Sequence, residues 1–149
     1  LAPVPHFGVW PATGRVFMYS PLTLLKVMTQ FRLRPAVETP TDARWALFSN
    51  SMPKKQMLKY FAKLDDESFR AYLDLLGLNL ANPKRVKAPV LVLGAENDAV
   101  ISVKNINATA KAYKTQAEIF PNMAHDMMLE KDWRPVADKI LNWLKEKGI

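Results

Sequence analysis

Val90-Leu-Val-Leu93 is a continuous apolar run that ends in a turn of small and acidic residues, Gly94-Ala-Glu-Asn-Asp98. A run this short and unbroken suits a strand covered on both faces, as in a parallel sheet flanked by helices. Parallel strands need a crossover of a dozen or more residues. The next segment supplies one. Ser102 is placed to cap a helix from Val103 to about Tyr113, and Glu118-Ile-Phe120 follows as a second short strand. A strand, a helix and a parallel strand bring both strand ends to the same sheet edge. Asp98 lies just past the first strand and His125 just past the second, on the turn Pro121-Asn-Met-Ala-His125-Asp126. The two are 27 positions apart, yet this path brings them within hydrogen-bond reach. The expected fold class is α/β.

The chain before residue 80 reads differently. Ser20-Pro21 is a helix start, with Leu22, Leu25, Met28 and Phe31 as its stripe. Thr39-Pro40-Thr41-Asp42 repeats that signal, and Met52-Pro53 opens a third segment bearing Met57, Leu58, Tyr60 and Phe61. Asp65-Asp-Glu67 places acids in a first turn before Phe69, Tyr72, Leu73 and Leu76, with Gly77 as a stop. Residues 21–77 are thus expected as three or four short helices without strands. At the other end, Asp132 is placed to cap a final helix whose apolar positions are Trp133, Val136, Ala137, Ile140, Leu141 and Leu144.

Composition bounds the chemistry. With 149 residues, 49% of them hydrophobic, one ordinary core is expected. There is no cysteine, so disulfides, thiolate nucleophiles and Cys-based zinc sites are excluded. His6 and His125 are the only histidines, too few for a His-rich metal site, and no cofactor is implied. The net charge of +7 lies in residues 1–88, which hold 13 Lys and Arg against 6 Asp and Glu. Residues 89–149 are neutral, with 8 of each. The basic residues are scattered as on solvated helix faces. They lack the interleaved aromatics of a nucleic-acid surface, and they permit contact with a lipid surface without calling for it. No apolar run is long enough to span a bilayer, and the cytoplasm is the default expectation.

Either member of the Asp98–His125 pair has a bland reading, as a turn aspartate or a satisfied loop histidine. Together, in the order acid-after-strand, helix, strand, histidine loop, amphipathic helix, they form a much rarer composite. An acid orienting a histidine is two thirds of a nucleophilic triad. The Met and aromatic residues of the helical part (Met18, Met28, Met52, Met57, Trp45, Phe48, Phe61) read either as an acyl-binding lid or, with more weight, as a local core.

On Pro89-Val-Leu-Val-Leu-Gly94 with Glu96-Asn-Asp98, Ala124-His-Asp-Met-Met-Leu129 and a Trp-bearing last helix, residues 89–149 resemble the C-terminal third of the α/β-hydrolase family. The family order of nucleophile, acid, histidine agrees with Asp98 before His125. The resemblance implies three parts: residues 1–14 as the end of a core strand and a loop, 15–86 as a helical cap, and 87–149 as the C-terminal part of the parallel-sheet core. Ala124 departs from the glycine the family commonly carries before its histidine.

The elbow Gly-x-Ser-x-Gly does not occur, since no pair of glycines brackets a serine. Ser20, Ser49, Ser51, Ser68 and Ser102 read as caps and loop residues. The resemblance therefore implies a fragment supplying acid and histidine only. The nucleophile would lie roughly 25 residues before Leu1, in a missing N-terminal half. Intact, such a protein would be a carboxylesterase or lysophospholipase-like enzyme acting on small or lipid-like esters. Asp98 would orient the imidazole; His125 would take the nucleophile's proton and then activate water. The alternatives are a dehalogenase or epoxide hydrolase of the same fold with an Asp nucleophile, and a non-catalytic truncated binding module. The 149 residues alone are expected to be inactive and to fold poorly.

Overall fold

The computed structural model describes residues 3–148. It is mixed helix and strand, with a two-stranded parallel sheet. Seven α-helices occur in this range: α1 (Trp10–Tyr19), α2 (Pro21–Gln30), α3 (Pro40–Leu47), α4 (Lys54–Phe61), α5 (Phe69–Leu73), α6 (Val103–Ala112) and α7 (Arg134–Glu146). The strands are β1 (Val92–Ala95) and β2 (Ala117–Phe120). No helix among the described residues is long and apolar enough to cross a membrane.

The strand–helix–strand unit forms as its pattern requires. β1 pairs with β2 in parallel, with Val92 opposite Ala117 and Ala95 opposite Phe120. All four β1 residues are buried because each face carries a layer. Val92 packs with Ile106 and Ala110 of α6, while Leu93 and Ala95 pack with Val136 of α7 and with Phe120, Met123 and Met127. Gly94 sits where α6 approaches most closely. A Cβ there would stand 2.3 Å from Ile106 Cδ1 and 2.9 Å from its Cγ2.

The helical segment is built by its capping residues. Ser20 accepts from the Thr23 amide at the start of α2, and Thr39 and Asp42 form a reciprocal capping box on α3. Ser68 and Ser102 cap α5 and α6 in the same way. α5 runs into a wider turn at Asp74–Leu78, where Gly77 takes φ +144°, a conformation that strains any other residue. Ala43, Phe48, Met52 and Met57 form a separate cluster between α3 and α4.

Several expectations are corrected. α1 is a continuous helix across the boundary expected at residue 14, and residues 3–9 contain no strand; Leu1 and Ala2, read as a strand end, lie outside the described residues. Gly14 and Pro11 hid this helix, although Pro in a first turn is well tolerated. Most of the stripe expected on α2 is open: Leu22, Leu25 and Phe31, which follows the helix, are exposed, Met28 is half-buried and Val27 is buried. Asp65-Asp-Glu67 precedes α5 rather than entering it. Asp66 instead accepts from the amides of Leu33 and Arg34 and pairs with the Arg32 guanidinium. Asp132 caps nothing: Trp133 flanks α7 without a side-chain cap, and both Trp133 and Leu141 are exposed.

Gly94→Ala should lower the unfolding free energy by about 1–3 kcal/mol, because Ile106 is fully buried and cannot swing away. Adding Ile106→Val, which removes the nearest methyl group, should recover part of that loss in urea titrations. Equal stability of the single variant and the parent would show that α6 does not pack this tightly on β1.

Candidate active site

The loops that leave β1 and β2 continue the sheet's pairing beyond its last residues. The Glu96 N–H donates to Phe120 O at 3.0 Å and the Asn97 N–H to Met123 O at 2.9 Å. Asn122 takes φ +59°, which tightens the second loop, and its N–H donates to Glu96 Oε2 at 3.2 Å. This laced pair of loops sets His125 over Asp98.

The Asp98 side chain is completely buried. Its Oδ1 accepts from the N–H groups of Val100 and Ile101, both at 2.7 Å, and its Oδ2 faces His125 Nδ1 at 2.8 Å. An ionised carboxylate only accepts, so the imidazole proton belongs on Nδ1 and the Nε2 lone pair is free to act as a base. Among the described residues His125 makes no other side-chain hydrogen bond. Burial pushes the His125 pKa down, but the hydrogen bond and charge of Asp98, with the charge of Asp126, outweigh it and leave the pKa raised. The Asp126 pKa is also raised, by burial first and by the Glu130 charge, with His125 opposing.

His125 keeps 26% of its side-chain surface exposed. It lines an apolar cavity of about 320 Å³ walled by Val9 just before α1, Ala12 and Val16 of α1, Leu24 and Val27 of α2, and Leu33, Ala36, Tyr72 and Leu75. The core side of that wall is His125, Val100 and Ile101. Those are the three residues that the Asp98 carboxylate holds, so one buried group shapes both the base and the floor of the cavity. The Arg15 guanidinium ties α1 to this floor by donating to Ala99 O at 3.1 Å.

Other residues singled out by sequence fall elsewhere. Met52, Met57 and Phe48 fill the cluster between α3 and α4, Met18 is solvent-exposed, and none of the four lines the cavity. His6 packs edge-on against Phe7, and its buried Nδ1 has no partner among the described residues. All five serines have work of their own. Ser20, Ser68 and Ser102 cap helices, while Ser51 and Ser49 are joined at 2.8 Å and Ser49 bonds to Glu130. Sequence reasoning missed Val100 and Ile101, which act through their amides, and Glu130, whose partner Ser49 is 81 positions away. Among the described residues no group of three or more His, Cys, Asp and Glu could hold a metal ion. No protein-family model, no curated protein and no solved structure matches the chain.

Asp98→Asn should lower the His125 titration midpoint, read by NMR of the imidazole, because the charge that favours the imidazolium is gone. The sign carries through to stability. His125 is raised above its ordinary 6.5, so the pair's contribution is complete below that value and is lost as pH rises through the folded-state pKa. Unfolding free energy measured against pH should fall across that window in the parent, and less so in Asp98→Asn. Identical profiles would mean that the carboxylate does not stabilise the imidazolium.

Proposed function

We propose that this chain carries the acid and the base of a serine hydrolase of the α/β-hydrolase fold, acting on carboxylic esters with an apolar moiety. The observation that supports this reading best is the Asp98–His125 pair, in which a fully buried carboxylate holds Nδ1 of a histidine that lines an apolar cavity. An apolar pocket with few convergent polar groups is the usual form of a small-molecule site, and about 320 Å³ is at the small end of that range. In this reading residues 89–149 are the end of the core, the preceding helices are its cap, and the cavity between them receives the acyl or alcohol chain. β1 pairs only with β2 among the described residues, and Trp133 and Leu141 of α7 are exposed; further strands and helices of the same core would cover both.

The chemistry follows from the pair. A hydroxyl nucleophile carried outside these 149 residues donates its proton to Nε2 as it attacks the ester carbonyl. Asp98 holds the ring in the required tautomer and stabilises the imidazolium. The imidazolium then protonates the leaving alcohol, and Nε2 removes a proton from the water that hydrolyses the acyl-enzyme.

In the complete polypeptide, His125→Ala and Asp98→Asn should each lower kcat towards medium-chain p-nitrophenyl esters by on the order of 10⁴-fold, with labelling by a fluorophosphonate probe lost in His125→Ala. Unchanged ester turnover in both variants would sink the reading. Turnover of haloalkanes or epoxides with no fluorophosphonate labelling would transfer the pair to an aspartate nucleophile. Inertness towards all three classes would leave a binding cavity without catalysis.

The cavity makes a separate prediction. Ala36→Phe should raise KM for long acyl esters several-fold while sparing acetate esters. Equal effects on both would place the substrate elsewhere.

A further inference from the structure

Glu130 is a buried carboxylate that the chemistry above does not use. It is 2% exposed, and no Lys, Arg or His among the described residues pairs with it. A buried charge without a cation must be answered by hydrogen bonds. The Ser49 N–H donates to Oε1 at 2.7 Å, the Ser49 hydroxyl to Oε2 at 2.7 Å, and the Ala124 N–H to Oε1 at 3.4 Å. Ser49 has a single hydroxyl proton, so the 2.8 Å contact with Ser51 makes Ser51 the donor to Ser49.

The two sides of this carboxylate belong to different parts of the molecule. Ser49 follows α3, in the helical segment, whereas Ala124 is the residue before His125. Two further contacts join the same surfaces. The Asp126 N–H donates to Leu47 O at 3.0 Å, and the Leu129 side chain packs into the α3–α4 cluster. On its other side the histidine loop is rooted in the sheet core by Met123 and Met127. His125 therefore lies between two residues rooted in the sheet core, on a loop that is also tied to the helical segment through Ala124, Asp126 and Leu129.

We propose that Glu130 is a positioning residue that locks the histidine loop to the helical segment, so that the Asp98–His125 contact holds only while that segment is docked. Glu130's part in catalysis rests on the pair being an acid and a base; its effect on the imidazole does not, and the experiment separates the two.

The test is NMR of the His125 imidazole in the complete polypeptide, comparing the parent with Glu130→Gln, Ser49→Ala and the surface control Glu118→Gln. The charged groups acting on His125 are Asp98 from the β1 loop and Asp126 from its own loop, Glu130 acts on Asp126, and Tyr72 is the other titratable residue lining the cavity. Ser49→Ala removes no charge, so it separates positioning from a change of field. Both Glu130→Gln and Ser49→Ala should lower the His125 midpoint by on the order of half a pH unit and speed exchange of its Nδ1 proton, with Glu118→Gln silent. A folded Ser49→Ala protein with an unchanged His125 midpoint and unchanged Nδ1 exchange would overturn the proposal, whatever the ester assays give. Should Glu130→Gln fail to fold, hydrogen exchange in the parent decides alongside Ser49→Ala. The amides of Ser49, Ala124 and Asp126 should open as one unit, and clearly different opening free energies would refute the coupling.

Discussion

A carboxylate taken out of water must find donors, and the architecture of this chain is arranged around two that do. Asp98 and Glu130 are both buried, and neither faces a Lys or Arg among the described residues. Their partners are backbone amides, one hydroxyl and one imidazole. Backbone donors make such a site specific. An amide cannot swing away as a lysine does, so a carboxylate that bonds two amides fixes the path of the chain as well as its own charge. Asp98 fixes the turn Val100-Ile101 and the ring of His125 together; Glu130 fixes the turn after α3 and the entry to the histidine loop.

The loop between β2 and α7 is consequently anchored on two sides. Met123 and Met127 point into the sheet core, and Leu129 points into the cluster between α3 and α4. Flexible methionine side chains suit the first task, since they fill the uneven space between a strand and two helices. Between Met123 and Met127 His125 is bonded through Nδ1 and keeps part of its side chain exposed. The surroundings divide the labour of tuning it. Burial favours the neutral ring, the carboxylates of Asp98 and Asp126 favour the charged one, and the charges prevail. In the proposed chemistry that balance makes Nε2 a stronger base than an ordinary exposed histidine.

Much of this was legible from local pattern. Val90-Leu-Val-Leu93 announced a strand covered on two sides, and it is shifted by two residues, to Val92–Ala95, because Gly94 and Ala95 are small enough to stay in the sheet under α6 and α7. Ser20, Thr39 and Ser102 announced helix starts through chemistry that needs only the next three residues. Errors arose where the deciding partner was distant. The α2 stripe Leu22-Leu25-Phe31 has sound helical spacing, yet Leu24 and Val27 face the cavity because α1 and the 33–36 turn close on that side. Asp66 left the expected first turn because the amides of Leu33 and Arg34 offered it a better site. The α7 stripe has flawless periodicity, yet it is covered only at Val136, with Ile140 and others partly covered, because a single two-stranded sheet is too narrow to screen the whole face.

The sequence by itself determined that Asp98 and His125 would meet. A parallel strand–helix–strand unit has one favoured hand, and both residues follow strands of that unit at short range, so their encounter needs no knowledge of the remaining chain. It also determined, through the absence of a bracketed serine, that the pair would find no elbow nucleophile within these residues. What surrounds the pair was decided by tertiary structure alone. The cavity floor of Val100, Ile101 and His125, the α1 and α2 wall opposite, and the Ser49–Glu130 lock join residues tens of positions apart through backbone amides. Amides carry no sequence signature, since nearly every residue has one, and only the folded path settles which of them a buried carboxylate will find.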